Sequence, residues 1–468
     1  MWLPVILKIE LRSIKKKRNG RCTHGARYPP APYGAGTYPA DGYFRGGTQL
    51  FMFRRRELPG KKEKDIMRNC TITRVFHPIG QGAFYSETYD TGTVQCNIVY
   101  DCGEWKNSKK VNSVVENSFK SGSVIDILFI SHFDFDHISK IDELKKHFAI
   151  KTCVLPLLYQ EQKEIMKAFY HSLSQTSIID LIDHPQAYFG DETQIIYVRA
   201  ADDQDKNDGN DNRNHLSELS YDFQESHFKS QNGKSVNSST EIKSGTRIVI
   251  NEDWNYIPYN INYDQRSAEL KKLFEAPLGD KTLDFSKFMT SIGYAINNRK
   301  QIKKIYNKLE GGINVNSMLL YSGPKEDSDE MFSLQVHTDW YGHRCYAPFS
   351  LSPPRDLDNI AACIFTGDTD FHVVDIKKIF QKYWKYVGTI QLPHHGSEKS
   401  FDLSFINDNR GRIFPVSYGK TNRYGHPASS VITAIISRGS CIVDVNEDEE
   451  TRYTQIITPT ENKAAKYF

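Results

Sequence analysis

The sequence contains no long apolar run, and no segment approaches the roughly 18 apolar residues that a membrane-spanning helix needs. It also has little excess charge of either sign, because 60 lysines and arginines oppose 57 aspartates and glutamates, for a net charge of +3. Such a balance does not argue for nucleic acid or an acidic membrane as a partner, although a local basic patch is compatible with it. The apolar start at residues 2–7 precedes the basic residues 15–18, the reverse of the order in a secretory signal. We expect a cytoplasmic protein that binds no membrane.

No two cysteines have the Cys-x-x-Cys spacing of a zinc ribbon, since the eight cysteines are scattered along the chain. In a chain of 468 residues this indicates ordinary reduced thiols and not a disulfide framework. Hydrophobic residues make up 39% of the chain and charged residues 25%, which fits a globular protein. The length exceeds what one average domain needs.

Residues 1–66 differ in composition from the rest of the chain. Basic clusters at 15–18, 54–56 and 61–64 flank a stretch rich in glycine, proline and tyrosine, and no strand or helix periodicity is sustained. This composition predicts a disordered extension, which is either a solvated tail or an over-long start that precedes Met67. A basic tail that contacts a polyanion is the functional alternative.

From residue 67 the pattern predicts strands mixed with helices. The run Val124–Ile130 is typical of a buried strand, and the apolar residues over 138–148 recur at helical spacing. A second strand-rich half begins near Asn314. We therefore divide the chain after the extension into three parts. Residues 67–155 form a first half and residues 311–468 a second half. Between them, residues 156–310 form a partly helical insertion with a polar flexible stretch near 200–245.

Four residues of metal-ligand type occupy six positions just after the predicted strand Val124–Ile130, as His132-x-Asp134-x-Asp136-His137. Side chains two apart in an extended segment point the same way, so His132 and Asp134 can share one metal ion. Asp136 and His137 lie in the turn that follows and can address a second point. Imidazole nitrogens and carboxylate oxygens are ligands that Zn²⁺, Mn²⁺ and Fe²⁺ accept. The segment therefore predicts a metal site.

Three later segments carry similar residues, each near the end of a predicted strand. In the first segment, Gly367 allows the backbone to approach closely beside the carboxylate of Asp368. The second holds two adjacent histidines, and the third holds one histidine in a Gly/Pro turn. The candidate ligands are Asp368, His394, His395 and His426. Residues suited to an anionic substrate are Ser397, Lys420, Asn422 and Arg423, although a solvated basic loop explains the last three equally well.

In this order the segments resemble the metallo-β-lactamase superfamily, and most of all the soluble hydrolase domain of the ComEC-type DNA-uptake proteins. The resemblance rests on Gly80-Gln81-Gly82, Asp101-Cys102-Gly103, the His132 segment, Gly367-Asp368, Pro393 to Ser397 and Gly425-His426-Pro427. The match of Asn316-Ser317 to the family's Asn-x-Ser strand is loose. The resemblance as a whole covers about residues 71–155 and 312–440. It includes no membrane channel, so DNA import is not implied.

The resemblance implies an α/β fold, a four-layer αββα sandwich that here contains a large insertion. It also implies metal-dependent hydrolysis of phosphodiester bonds, with nucleic acid or a nucleotide as the substrate. The reaction would use a water activated by two divalent ions, Zn²⁺ or Mn²⁺.

The same resemblance suggests how the ligands divide between the two ions. The first ion would be held by His132, Asp134 and one of His394 or His395. The second would be held by Asp136, His137 and His426, with Asp368 bridging the two. Asp134 stands where many members of the superfamily have histidine, so Mn²⁺ competes with Zn²⁺. Catalytic roles are expected of Asp136, His395 and Lys420.

Two other functions are compatible with these residues. One is hydrolysis of a small ester, lactone or thioester, which the lack of a Gly-His-Thr-type third motif argues against mildly. The other is a metal-binding interaction protein without turnover, which the complete set of ligands argues against.

Overall fold

The computed structural model describes residues 70–106, 108–201, 218–222, 227–230, 239–251, 254–262, 264–276, 282–306, 308, 316–328, 332–338, 345–346 and 360–460. The extension predicted over 1–66 lies outside these residues. Much of the polar stretch predicted near 200–245 also lies outside them.

The strands are numbered in chain order. They are β1 Thr71–Phe76, β2 Gly82–Asp90, β3 Gln95–Glu104, β4 Val124–Phe129, β5 Ala149–Pro156, β6 Gln194–Val198, β7 Glu218–Asp222, β8 His227–Ser230, β9 Ser239–Ile242, β10 Arg247–Asn251, β11 Trp254–Asn262, β12 Asn316–Pro324, β13 Phe332–Thr338, β14 Cys345–Tyr346, β15 Ala362–Phe365, β16 Val387–Ile390, β17 Ile413–Ser417, β18 Cys441–Val445 and β19 Tyr453–Pro459.

The α-helices are numbered in the same way. They are α1 Lys109–Glu116, α2 Phe135–Ile138, α3 Ile141–His147, α4 Gln160–Ser172, α5 Thr176–Asp183, α6 Pro185–Phe189, α7 Asp264–Glu275, α8 Phe285–Thr290, α9 Ile292–Asn297, α10 Arg299–Tyr306, α11 Ile376–Ile379 and α12 Ser429–Ser437. Short 3₁₀ helices span Gln381–Tyr386, Pro393–Gly396, Phe405–Asp408 and Glu449–Thr451.

The described strands form two large mixed sheets. The first has the order β13-β19-β1-β2-β3-β4-β5-β6-β9, and the second has the order β14-β18-β17-β16-β15-β12-β11-β10-β7-β8. Strands β3 to β6 run parallel in the first sheet, and β15 to β18 run parallel in the second. Because the carboxyl ends of parallel strands meet at one edge of a sheet, loops after these strands can share a site.

Apolar side chains fill the space between the sheets and cover both outer faces. Phe76 and Tyr100 of the first sheet contact Phe365 of the second, and the ring centroids of Tyr100 and Phe365 lie 5.0 Å apart. Helices α1, α3 and α4 pack on the outer face of the first sheet, while α11 and α12 pack on that of the second. The predicted αββα sandwich is confirmed.

The predicted insertion contributes to both sheets. Strands β6 and β9 extend the first sheet, and β7, β8, β10 and β11 extend the second. Strand β11 pairs with β12 from Trp254↔Pro324 to Asn262↔Asn316. The helices predicted over about 265–310 are present as α7 to α10. The division of the chain at residues 155 and 310 stays a prediction.

The helix predicted over 138–148 is interrupted in the structure. Helix α2 ends at Ile138 and α3 begins at Ile141. At the break, the backbone N–H of Lys140 donates to the carbonyl of Cys102 (2.9 Å), and the Ser139 hydroxyl donates to the carbonyl of Glu104 (2.8 Å). Hydrogen bonds to β3 therefore replace the helical ones and fix the segment that precedes the break.

A buried ion pair, which the sequence analysis did not predict, lies between the sheets. Arg74 and Glu87 contact each other with 0% and 2% of their side chains exposed. Oε2 of Glu87 also accepts hydrogen bonds from the hydroxyls of Tyr256 (2.7 Å) and Ser322 (2.6 Å) on the second sheet. A buried charge needs such partners, so this network fixes how β1 and β2 pack against β11 and β12.

Among the residues that the structure describes, no helix is both long enough and apolar enough to span a bilayer.

Candidate metal centre

The predicted ligands come from four loops, each of which follows a strand. The His132–His137 segment follows β4, Asp368 follows β15, the His394–His395 pair follows β16, and His426 lies in the loop after β17. The backbone N–H of Met318 on β12 donates to the carbonyl of Ser131 (2.8 Å), which joins the loop after β4 to the second sheet. Contacts of Asp368 with His132 and His394, and of His394 with His426, bring the four loops together, and we call the space that they surround the cleft.

One group of potential ligands consists of His132, His137 and Asp368, which are all buried and whose ligand atoms lie within 4.8 Å of one another. Nε2 of His137 lies 3.2 Å from Oδ1 of Asp368, and Nε2 of His132 lies 3.7 Å from Oδ2. Oδ2 of Asp134 lies 3.9 Å from the same His132 nitrogen. The carboxylate of Asp368 thus lies between the two histidines of the first segment.

A second group consists of Asp136, His137 and His395, also buried and within the same distance of one another. Nε2 of His395 lies 3.1 Å from Oδ2 of Asp136. His137 belongs to both groups, so the two clusters adjoin each other at one imidazole. Such an arrangement could hold two cations close together.

The adjacent histidines point in different directions. Both have positive φ angles, 46° for His394 and 55° for His395, a conformation rare for non-glycine residues. Nε2 of His394 lies 3.9 Å from Oδ2 of Asp368, whereas His395 faces Asp136. The sequence left open whether His394 or His395 would bind the same ion as His132. His394 is the one that lies near Asp368, which is also near His132.

His426 lies beyond these two histidines. Its ring centroid is 5.6 Å from that of His394 and 6.4 Å from that of His395. Its Nδ1 atom is buried and makes no hydrogen bond to any residue that the structure describes. Burial, together with the neighbouring His395 and His394, lowers the pKa of His426 to about 4, so the imidazole is neutral at pH 7.

Asp101 and Ser131 orient the histidines, and sequence reasoning did not include either as a site residue. Oδ2 of Asp101 accepts from Nδ1 of His137 at 2.8 Å and from the Ser131 hydroxyl at 2.6 Å. That hydroxyl also lies 2.8 Å from Nδ1 of His132. Because Nδ1 of His137 is held by Asp101, Nε2 faces the cluster, and this nitrogen would give up its proton to bind a metal, as in carboxylate–histidine–metal arrangements. The Asp101-Cys102-Gly103 motif was the signal in the sequence.

The glycines of the two early motifs are explained by close backbone packing. A Cβ atom at Gly103 would lie 2.6 Å from the carbonyl carbon of Asp136, and one at Gly82 would lie 2.8 Å from the carbonyl oxygen of Asp136. Side chains at either position would displace the ligand-bearing segment. The glycines therefore allow β2 and β3 to support the site directly.

His395 is oriented by the backbone. Its Nδ1 atom lies 2.8 Å from the carbonyl oxygen of Ser417, at the end of β17. A carbonyl can only accept, so Nδ1 carries a proton, and Nε2, which faces Asp136, is the nitrogen that could bind a metal. The hydroxyl of Tyr85 donates to Ser417 Oγ (3.1 Å), which further fixes this strand end.

The pKa shifts in the cluster indicate that its buried carboxylates need more positive charge than neutral histidines supply. Burial opposes ionisation of Asp368, yet His394, His137 and His132 hold its pKa well below the usual range. Burial likewise opposes protonation of His137, but Asp368 and Asp101 raise its pKa well above the ordinary value. Protons on buried histidines therefore balance the buried carboxylates, a role that a bound divalent cation would take over.

The residues fit a divalent metal on three grounds. The Nε2 atoms of His132 and His137 are buried and have no hydrogen-bond partner among the described residues. Their Nδ1 atoms already have oxygen neighbours, so the free nitrogens face the carboxylates. The mixed imidazole and carboxylate set is one that Zn²⁺ and Mn²⁺ accept.

Both the nitrogen and the oxygen of the Asn422 side-chain amide form hydrogen bonds within the loop after β17. Its Nδ2 atom donates to the carbonyls of Gly419 (2.6 Å) and His426 (2.7 Å), and its Oδ1 accepts from the backbone N–H of Tyr424 (3.2 Å) and of His426 (3.1 Å). Asn422, which was predicted to contact substrate, therefore braces the loop that carries His426.

The remaining predicted substrate-binding residues lie at the rim of the cleft. The Lys420 ammonium contacts Asp448 at 2.6 Å and is about half exposed, and Arg423 is exposed. The Ser397 hydroxyl is buried and accepts from the backbone N–H of Lys399 (3.3 Å). Tyr424 was not predicted as a site residue, yet its ring is 55% exposed and lies 5.8 Å from that of His426. An exposed aromatic ring beside the cluster offers a surface for substrate.

Comparison with known protein families agrees with this geometry. Residues 92–210 match the metallo-beta-lactamase superfamily, and this range contains β3, β4 and the whole His132–His137 segment. The matched segment, together with the αββα fold and the His/Asp clusters, supports a metallohydrolase of the metallo-β-lactamase fold.

One solved structure that the chain matches is that of the metallo-beta-lactamase fold protein YhfI from Bacillus subtilis. It covers 80% of this chain and 97% of its own, at 9% identity and a TM-score of 0.30. No curated protein matches the sequence.

Proposed function

We propose that this protein hydrolyses phosphodiester bonds, in a nucleic acid or a nucleotide, with a water activated by two divalent metal ions. The observation that carries the proposal is the pair of buried clusters, His132/His137/Asp368 and Asp136/His137/His395, that adjoin at His137. Two adjoining ligand sets suit an in-line displacement, in which both the attacking and the leaving oxygen need stabilisation.

The first ion would be held by His132, Asp134, Asp368 and His394. The second would be held by Asp136, His137, His395 and, from the loop after β17, His426. Compared with the division that the resemblance implies, His395 moves to the second ion because its Nε2 lies 3.1 Å from Asp136. When bound, two such ions lower the pKa of a shared water and offset the charge on the attacked phosphate.

The protein's own residues prepare the site for this chemistry. Asp101 keeps the proton on Nδ1 of His137, and the Ser417 carbonyl keeps it on Nδ1 of His395, so both histidines present Nε2 to the cleft. Asp136 is buried, and burial opposes its charge, but His395 and His137 lower its pKa, so it is ionised at neutral pH. A histidine nitrogen that binds a metal cannot also accept a proton, so of these two residues Asp136 is the one positioned to accept and pass on a proton during the reaction.

Cations at the rim of the cleft suit an anionic substrate. Lys106 donates to the Thr421 hydroxyl (2.6 Å) and is 49% exposed, which places its ammonium beside the loop that carries Arg423. Lys420 is held by Asp448, but an ion pair this exposed to solvent stabilises the protein little. A phosphate could therefore replace Asp448 as its partner, as the catalytic role proposed for Lys420 requires.

The metal is proposed to be Zn²⁺ or Mn²⁺. Histidines favour Zn²⁺, whereas the carboxylates of Asp134, Asp136 and Asp368 bring hard oxygen ligands that Mn²⁺ accepts readily. The cleft therefore has a more oxygen-rich ligand set than a site built only from histidines.

A substrate panel tests the proposal. Purified protein, loaded separately with Mn²⁺ and Zn²⁺, is assayed on bis(p-nitrophenyl) phosphate, DNA, RNA, a lactone and a thioester, with Asp136→Asn as the inactive variant. Asp142→Asn, which changes an exposed carboxylate hydrogen-bonded to Tyr188, is the matched control.

We expect metal-dependent cleavage of the phosphodiesters that Asp136→Asn abolishes and Asp142→Asn retains. Turnover of the lactone or thioester alone would assign the site to ester chemistry. Tight metal binding without turnover of any substrate would indicate an interaction protein.

A further inference from the structure

Helix α10 carries an unusual concentration of positive charge. Its eight residues include Arg299, Lys300, Lys303 and Lys304, with no acidic residue. All four are exposed, whereas Ile302 and Ile305 are each 1% exposed and pack into the core beneath. The helix therefore presents a uniformly basic outer surface, which we call the α10 basic face.

None of these four cations forms an ion pair with a residue that the structure describes. Several exposed lysines elsewhere do: Lys146 lies 2.8 Å from Glu143, Lys287 lies 3.3 Å from Asp284, and Lys420 lies 2.6 Å from Asp448. The α10 basic face thus lacks the acidic partners that these lysines have.

The spacing of the cations makes this arrangement unfavourable for the isolated helix. Arg299 and Lys303 are four residues apart, as are Lys300 and Lys304, so like charges are neighbours on one face. Like-charged pairs at this spacing destabilise a helix. A partner that supplies negative charge would remove the repulsion, which favours a binding role over a merely solvated surface.

Helix α7 adds to the same surface. It packs against α10, and Lys271 and Lys272 are exposed on it without an ion pair to a described residue. Glu269 and Glu275 are also exposed on α7, so its net contribution is smaller. The centre of positive charge therefore lies on α10.

The basic face belongs to the helical layer that supports the metal centre. Helix α10 packs on α4, which begins at Gln160 just after β5. Strand β5 pairs with β4, the strand that leads to His132. The hydroxyl of Tyr170 on α4 donates to the carbonyl of Phe133, within the ligand segment itself. A polymer bound on α10 thus contacts the layer that lies directly behind the cleft.

We infer that the α10 basic face docks the phosphate backbone of a single-stranded nucleic-acid substrate; this inference rests on the phosphodiesterase function proposed above. Four cations within six residues span roughly 7.5 Å of helix, a length over which they can contact more than one phosphate of the same strand. Neutralising phosphates releases their condensed counterions, which drives such binding. A membrane surface fits less well, because the apolar side of α10 is already buried and has nothing to insert.

Charge neutralisation tests this inference. Lys300→Gln/Lys303→Gln/Lys304→Gln is compared with Lys377→Gln/Lys378→Gln/Lys385→Gln, which removes the same charge from exposed positions in the helical layer over the second sheet. Each variant, loaded with Mn²⁺, is assayed on a 30-nucleotide single-stranded DNA and on bis(p-nitrophenyl) phosphate over a range of salt concentrations. The small substrate reports whether the cleft is intact.

We expect the α10 variant to have a KM for the oligonucleotide about ten-fold higher or more at 0.1 M salt, because three phosphate contacts are lost. The slope of log KM against log salt should become shallower by about 2, at ~0.7 per contact on a single strand. The control variant should behave as the unaltered protein does, and both should cleave the small substrate normally.

Two outcomes separate this inference from the function on which it rests. Cleavage of both substrates with the same oligonucleotide KM in all three proteins would overturn the docking role alone. No cleavage of either substrate by the unaltered protein would instead overturn the proposed function. Loss of binding to phosphatidylserine vesicles in the α10 variant, with oligonucleotide KM unchanged, would assign the face to membranes and contradict the inference.

Discussion

Nδ1 of His137 lies 2.8 Å from Oδ2 of Asp101, and both side chains are buried. Through this contact a residue at the end of β3 sets which nitrogen of His137 faces the cluster. The same carboxylate accepts from the backbone N–H of Ser131 (2.7 Å) and from its hydroxyl (2.6 Å), so Asp101 fixes both ends of the ligand segment.

Replacing Asp101 with asparagine should weaken Mn²⁺ and Zn²⁺ binding by about 10–100-fold, because a partner of this kind orients the ligand and raises its basicity. Isothermal titration of metal into chelator-treated protein measures the effect. Asp126→Asn is the matched control, since Asp126 is also buried and hydrogen-bonded, to Asn97 and Tyr221, but away from the cleft. Equal metal affinity in the two variants would show that Asp101 does not position His137.

Asn422→Ala should lower metal affinity while leaving the KM for bis(p-nitrophenyl) phosphate unchanged at saturating metal. The variant removes two side-chain donors to the loop that carries His426, each contributing ~0.5–1.5 kcal/mol, so a loss of about ten-fold is expected. Asn117→Ala, which removes a donor at the end of α1, is the control. A raised KM with normal metal affinity would instead support the substrate contact predicted from the sequence.

Acid should destabilise the metal-free protein in part through His77. Burial, with a smaller effect from Arg452, lowers the pKa of His77 to about 3, whereas an unfolded histidine titrates near pH ~6.5. Between these values the unfolded state binds the extra proton, so the stability that the neutral His77 contributes is present above pH ~6.5 and is lost as the pH falls toward 3. The slope is ~1.4 kcal/mol per pH unit for one group.

Urea unfolding in the presence of a chelator, at several values between pH 6 and pH 4, measures this effect. His77→Gln should show a shallower decline of the unfolding free energy than the unaltered protein, whatever its absolute stability. Identical slopes would show that His77 is not held neutral in the folded state.

The double variant Asp136→Ala/Asp368→Ala should lose most of its metal. The unaltered protein is expected to hold about two ions per chain, and the two substitutions remove a carboxylate from each cluster. Elemental analysis after gel filtration gives the metal content, with the partly exposed pair Asp90→Ala/Asp402→Ala as the control. Unchanged metal content in the first variant would mean that the ions bind elsewhere.

Much of the fold could be predicted because its signals are local. The buried run at β4 and the following ligand segment identified the strand and the turn after it, and both are present. The continuous helix over 138–148 was not found, because hydrogen bonds from Ser139 and Lys140 to β3 interrupt it. Such contacts join residues about 35 positions apart, which periodicity along the chain does not detect.

The site was predicted less completely than the strands that support it. The sequence identified the candidate ligands by type, and the structure brings His132, Asp136, His137, Asp368 and His395 into two clusters. Which histidine faces which carboxylate depends on the positive φ angles at His394 and His395, which nothing in the sequence indicates. The Arg74–Glu87 network joins distant strands and had no sequence signal either.

The most direct test of the account is the turnover of His137→Ala, because this residue joins the two clusters. Turnover of bis(p-nitrophenyl) phosphate and a melting curve are measured on the same preparation, with Mn²⁺ and separately with Zn²⁺. Loss of one imidazole leaves metal undercoordinated, so the rate should fall by orders of magnitude. The melting temperature should fall only modestly, by the share that bound metal contributes. Turnover near that of the unaltered protein in both metals would contradict the two-metal mechanism.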